Sequence, residues 1–138
     1  MPIPALRFGH IAFRVSDVER SVRLYNDAFG ARKVLHAAPD GERQELMFLE
    51  FAKGQFIEFF TNGREKLVAP VGLIGYQHFC LAVENLNQML DHLATMNVYP
   101  ERPARLGRSH YLIAFIADPD GNIIELMQIN PESAIYRD

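Results

Sequence analysis

His10-Ile-Ala-Phe-Arg-Val15 and His78-Phe-Cys-Leu-Ala-Val83 are two versions of one pattern within a chain of 138 residues. Each opens on an imidazole and alternates side chains along a strand, so His10, Ala12 and Arg14 share one face while Ile11, Phe13 and Val15 share the other. A second pair of segments matches as well: Phe56-Ile-Glu58-Phe59 lies over Ile123-Ile-Glu125-Leu126, at an offset of 67 residues against 68 for the first pair. A repeat that preserves two polar residues among hydrophobes implies duplicated modules, and it decides the fold.

The elements around these anchors follow the same order twice. Leu6 to Val15 is strand-like, and Ser16-Asp17-Val18-Glu19 forms a capping box with Ser16 as N-cap and Glu19 at the third helical position. Val18, Val22, Tyr25 and Phe29 recur at helical spacing, and Gly30 tolerates a left-handed C-terminal turn, so a helix is expected over about 17–29. Strands follow near 31–37, 44–51 and 55–61, with turns at Pro39-Asp40-Gly41 and Ala52-Lys53-Gly54. The second half gives a strand at 76–83, then a helix over about 85–96 with Leu86, Met89, Leu90, Leu93 and Met96 on its apolar face. Strands near 98–102, 110–117 and 122–129 complete it, with Asp118-Pro119-Asp120-Gly121 as the last turn. Glycines and a proline between 62 and 75 mark the connector.

The expected fold is α+β: two βαβββ modules, about 6–62 and 76–130, joined by a linker at about 63–75. They form a single domain in a pseudo-twofold arrangement, with a curved sheet around a shared site. At this length one compact domain, or two small modules sharing a core, buries roughly 68–70% of the unfolded chain's surface.

The two carboxylates sit between hydrophobes, Phe56-Glu58-Phe60 and Ile123-Glu125-Met127, without a basic neighbour in their own strands. Burying a bare carboxylate costs several kcal/mol unless it is paired or bound to a cation. A pseudo-twofold axis would bring His10, Glu58, His78 and Glu125 together, and one divalent metal would neutralise both acids while using both imidazoles. Taken singly, a strand His is a hydrogen-bonded core or surface residue and an edge Glu points to solvent; matched pairs at the repeat offset argue otherwise. Mixed nitrogen and oxygen donors suit Ni, Co, Zn, Mn or Fe without choosing among them. An octahedral ion would leave two positions for water or substrate oxygens.

Composition narrows the partners. The chain is 49% hydrophobic and 22% charged, with no Trp and a net charge of −3. That balance speaks against a nucleic-acid or polybasic membrane surface and favours a small-molecule partner. No stretch reaches the length of a membrane span, and the N-terminal residues show no secretory pattern. The single cysteine, Cys80, rules out an intramolecular disulfide and a multi-cysteine zinc site, and it fits a cytoplasmic, reducing location.

Two stretches carry a specific resemblance: His10-Ile-Ala-Phe-Arg-Val-Ser-Asp-Val-Glu-Arg-Ser-Val-Arg-Leu-Tyr25, and Ala114-Phe-Ile-Ala-Asp-Pro-Asp-Gly-Asn-Ile-Ile-Glu-Leu126. Over about residues 6–130 the chain resembles the vicinal oxygen chelate superfamily, which includes glyoxalase, bleomycin-resistance and dioxygenase proteins, and within it most resembles the short bacterial glyoxalase I type. The resemblance implies a His10, Glu58, His78, Glu125 metal set and a lyase that isomerises a methylglyoxal–thiol hemithioacetal to a 2-hydroxyacyl thioester. It also implies that Glu125 is the first proton-transfer base, with Glu58 able to act from the opposite face. Arg14 and Asn62 stand where that family contacts the glutathione part of the substrate, and members of this size commonly form homodimers.

The loop Arg105-Leu-Gly-Arg-Ser-His110 departs from the family's Lys-Gly-Gly stretch; Arg105 and Arg108 either replace it or are solvated loop cations. Other members of the superfamily frame the alternatives: a methylmalonyl-CoA epimerase-like enzyme, a thiol transferase, or a metal-free antibiotic-binding protein. Thiol transferases and extradiol dioxygenases generally use two His and one Glu, so a functional Glu58 separates this chain from both. Tyr25 and Phe29 are expected in helix core, and His36, His92 and His110, which have no counterpart in the repeat, at the surface or in turns.

Overall fold

The computed structural model describes residues 1–65, 72 and 74–129. Two compact units, residues 1–68 and 69–138, divide the chain, and each contains one helix and one four-stranded sheet. The expected α+β class and the repeated βαβββ order are both present. Among the described residues, no helix is long and apolar enough to cross a membrane.

Unit 1 consists of β1 (His10–Arg14), α1 (Val18–Phe29), β2 (Arg32–Ala37), β3 (Leu46–Ala52) and β4 (Gln55–Phe60), with sheet order β1-β4-β3-β2. The first and last strands pair in parallel, placing Ala12 opposite Glu58; β3 and β4 form a hairpin in which Phe48 faces Glu58. One face of this sheet carries Phe13, Met47, Leu49, Ile57 and Phe59, all buried. Tyr25 of α1 packs on that face, its ring 5.2 Å from Phe59 in an edge contact. The opposite face carries His10, Arg14, Phe48, Phe56, Glu58 and Phe60, by the alternation of side chains along a strand.

Unit 2 repeats the plan with β5 (Phe79–Val83), α2 (Leu86–Thr95), β6 (Arg105–Leu106), β7 (Leu112–Ala117) and β8 (Ile123–Gln128), in the order β5-β8-β7-β6. Here β5 and β8 run parallel, with Cys80 opposite Glu125, and Phe115 of β7 faces Glu125 from the other side. Leu86 and Leu93 of α2 are fully buried, as are Ala114, Ile124 and Leu126 of the sheet.

Several boundaries differ from the sequence expectation. The first strand begins at His10, not Leu6; Leu6 and Phe8 are almost wholly exposed, because only residues from His10 onward meet β4 in register. The N-cap of α1 is Asp17, whose side chain accepts from the Arg20 amide at 3.0 Å. A carboxylate there complements the helix dipole that Ser16 would meet only with a neutral hydroxyl. The buried stripe of α1 is Ser21, Leu24, Tyr25 and Ala28, with Val18, Val22 and Phe29 half-buried beside it.

The strand expected near 98–102 is absent, and a two-residue strand at Arg105–Leu106 takes its place. Pro100 and Pro103 cannot donate to a ladder, and Asn97 turns the chain with φ 58°. A single bond, Glu101 N–H to the Phe115 carbonyl at 3.0 Å, keeps that segment against β7. Part of the expected connector, 66–71 and 73, lies outside the described residues.

Candidate metal centre

Parallel pairing of the outer strands is what brings each His to its Glu. In unit 1, His10 Nε2 lies 2.9 Å from Glu58 Oε2; in unit 2, His78 Nε2 lies 2.8 Å from Glu125 Oε2. Each imidazole also rests edge-on against a phenylalanine that faces the same glutamate across the sheet: His10 on Phe48 at 5.2 Å and His78 on Phe115 at 5.3 Å. Such edge contacts are worth about 0.5–1.5 kcal/mol and fix the plane of the ring. Phe48 and Phe115 are themselves repeat equivalents, a match that sequence reading overlooked. Extending the comparison from the Glu positions to the preceding strand would have found them.

The acids are the informative half of each pair. The Glu58 side chain is 10% exposed and that of Glu125 17%, yet among the described residues the one hydrogen-bond partner of either carboxylate is its own histidine. An ionised carboxylate offers about four acceptor sites, so most of this capacity is unspent in a partly dry setting. Two donors at right angles on an ion with bonds of about 2.1 Å would stand about 3.0 Å apart, close to both observed spacings, so each pair fits a divalent cation with little movement. Within neither unit does a third His, Cys, Asp or Glu join the pair among the described residues. Each unit thus presents two donors.

Cys80 stands beside Glu125 on this face, where partial burial, and after it the Glu125 charge, push its thiol up to about 11. Without a cation beside it the thiol is protonated near neutral pH.

Arg14 and Asn62 meet at the end of β4 through Thr61. Arg14 Nη1 donates to the Thr61 carbonyl at 2.9 Å, Nη2 donates to Gln44 Oε1, and the guanidinium carbon lies 5.5 Å from the centre of the Phe60 ring. Asn62 adopts φ 59°, and its Nδ2 reaches Thr61 Oγ1 at 3.3 Å. The two side chains are therefore positioned together on unit 1, with Gln44 as a partner the sequence did not suggest. Of the remaining histidines, His36 pairs with Glu45 at 2.6 Å, His110 sits in a turn with φ 65°, and His92 is exposed on α2; none approaches either His–Glu pair closely enough to form a cluster.

Comparison with known proteins agrees with this duplicated arrangement. The lactoylglutathione lyase of Arabidopsis thaliana is 28% identical over 130 residues, covering 91% of this chain and 45% of its own length; the chain thus spans less than half of that relative. The lactoylglutathione lyase of Pseudomonas aeruginosa is 25% identical over 145 residues, covering 88% of this chain and 81% of its own. The structure of a glyoxalase family protein from Enterococcus faecalis matches the fold with TM-score 0.78 at 18% identity, over 89% of this chain and 98% of that one. The sequence profile of one family covers residues 7–126, a span that includes both pairs. The chain belongs to the Glyoxalase/Bleomycin resistance protein/Dioxygenase superfamily.

Proposed function

We propose that this protein is a glyoxalase I-like lyase that isomerises the hemithioacetal of methylglyoxal and a thiol to a 2-hydroxyacyl thioester. The observation that carries the reading is the twice-built His–Glu pair, in which each acid, Glu58 buried and Glu125 half-buried, is hydrogen-bonded by its histidine and a phenylalanine backs the imidazole. The relatives named lactoylglutathione lyase support the choice of reaction. Each His–Glu pair, His10 with Glu58 in unit 1 and His78 with Glu125 in unit 2, would supply two donors to a divalent metal. Once bound, that ion supplies Lewis-acid polarisation of the substrate's oxygens.

The chain's own residues do the rest. Glu125 takes the proton from the hemithioacetal carbon and returns it to the neighbouring carbonyl carbon while the hydroxyl proton passes to the neighbouring oxygen, so one C–H and one O–H bond break, one of each forms, and no oxidant or reductant is consumed. Glu58, its repeat counterpart in unit 1, is the second base of this reading. The hydrophobic neighbours of both acids exclude water that would compete for the proton. Arg14, braced by Thr61 and Gln44, holds a carboxylate of the thiol beside Asn62. The active protein is a homodimer in the cytoplasm.

Elemental analysis of the purified protein, followed by an ultraviolet assay of thioester formation from methylglyoxal with several thiols, tests the reading. Turnover that chelator removes and an added divalent metal restores is expected. A stoichiometrically metallated protein inactive with every thiol would discard the lyase assignment. Within this scheme Arg14→Ala is expected to raise KM for a glutathione hemithioacetal by about 10-fold with a smaller change in kcat, because a charge-assisted hydrogen bond contributes roughly 1.5–3 kcal/mol. An unchanged KM would remove Arg14 from thiol recognition.

A further inference from the structure

Residues 1–9 take part in no strand or helix of unit 1, yet Met1, Ile3, Leu6 and Phe8 there are almost wholly exposed. The root of this segment is nonetheless held. A Cβ built on Gly54 would stand 2.9 Å from Arg7 Nη1, so the guanidinium lies against the β3–β4 turn, where only a glycine leaves room for it. The segment is anchored at one end and uncovered along its length. Single exposed hydrophobes need no explanation, whereas several close together mark an interaction site.

The pattern of the segment is that of an edge strand. Leu6 and Phe8 continue the alternation that His10 begins in β1, but β4, which starts at Gln55, has no residues left to pair with them. In an extended chain, successive residues direct their N–H and C=O groups to opposite edges, so Pro2 and Pro4 withhold a donor from the same edge while Ile3, Ala5 and Arg7 keep theirs for the other. Such a strand pairs on one side and ends the sheet on the other, which blocks open-ended growth.

A matching edge exists on the same unit. Among the described residues the sheets end at β1, β2, β5 and β6; of these, β2 and β6 expose large hydrophobic side chains, and β6 is only two residues long. That leaves β2, six residues long, with Val34 39% and Leu35 51% exposed. The area suits a second copy of the chain. At about 25 cal/mol/Å2, burying one large apolar side chain removes roughly 60–120 Å2. Four such side chains on each of two arms, with an equal area on the surfaces they cover, amount to roughly 1,000–1,900 Å2, against the roughly 1,200–2,000 Å2 of a specific interface.

We propose that residues 1–8 are an exchange arm: in the homodimer each chain lays this segment along the outer edge of β2 in the second copy, with Leu6 and Phe8 against Val34 and Leu35. The proposal rests on the homodimer of the reading above and not on its reaction. Reciprocal exchange closes a twofold dimer and leaves neither arm free to recruit a third chain.

Sedimentation equilibrium of the full chain tests it. The wild type is expected to dimerise, and Leu6→Asp combined with Phe8→Asp should raise the dimer dissociation constant at least about 100-fold, since two buried apolar side chains per arm are lost. Leu35→Asp on the receiving edge should raise it at least about 10-fold. All three positions are exposed within one chain, so circular dichroism should stay as in the wild type. With Cys80→Ser throughout, oxidising a mixture of one chain carrying Leu6→Cys or Phe8→Cys and another carrying Leu35→Cys should give a disulfide-linked pair that neither variant gives alone. A monomeric wild type, a dimer that the arm substitutions leave intact, weakening that Leu35→Asp does not share, or disulfides only within a chain that carries both cysteines overturns the proposal. Assays of methylglyoxal hemithioacetals on the same preparations keep the failures apart. Turnover by a dimer indifferent to these substitutions refutes only the arm, whereas dissociation of an inactive protein refutes the lyase and leaves the arm standing.

Discussion

Glu125→Gln is expected to lower kcat by about 10²–10⁴-fold, the usual contribution of a positioned general base, while circular dichroism and the thermal midpoint stay close to wild type. The substitution keeps the size of the side chain and one oxygen facing His78, but removes the negative charge and the ability to carry a proton. Glu125 lies between Ile123 and Met127 on its face of β8, opposite Cys80 and Phe115, and an amide there meets no new clash. KM should change less than kcat, because the lost interaction belongs to the transition state. Rates close to wild type in fully metallated Glu125→Gln would transfer the role of base to another group, Glu58 first, and the paired variant Glu58→Gln distinguishes the two.

The second large effect concerns stability. Phe59→Ala should cost about 3–5 kcal/mol, the range for a large aromatic removed from a core. Phe59 is fully buried, contacts Tyr25 at 5.2 Å and Phe13 at 6.4 Å, and sits next to Glu58 on the central strand of unit 1. Its loss leaves a cavity between α1 and the sheet, which partial relaxation of the neighbours does not recover. Chemical denaturation monitored on unit 1 checks this, and a loss below about 1 kcal/mol would show that Phe59 does not anchor the helix. Because Glu58 points from the opposite face of the same strand, the variant should also bind metal more weakly, whereas Glu125→Gln leaves the core untouched.

Much of the fold was legible because hydrophobic alternation and the repeat state it twice. His10 and His78 marked the first strand of each unit, Glu58 and Glu125 the last, and Gly30 the end of α1, which it closes with φ 70°. Details that depend on partners were not legible. Asp17 displaced Ser16 as N-cap because both residues can cap and only the local backbone chooses. Leu6 and Phe8 carry the alternation of a strand, yet no β4 residues remain to pair with them. Arg105–Leu106 became β6 because Pro100 and Pro103 forbid a ladder earlier.

The site shows the same division. Each His–Glu pairing follows from strand order, so it could be anticipated once the repeat was seen. The brace of Gln44 and Thr61 on Arg14 arises from residues just outside β3 and β4, whose placement no periodicity encodes.

The parallel joining of first and last strands has a consequence for how each unit holds itself closed. His78 and Glu125 are 47 positions apart along the chain, and they touch only once everything between them has wound into place. An ion gripped by both would work as a clasp at the mouth of a long loop, binding the closed form and not the open one and so stabilising the unit by mass action. Loading with metal is expected to slow unfolding more than it speeds folding, the outcome for a contact that closes after the folding transition state.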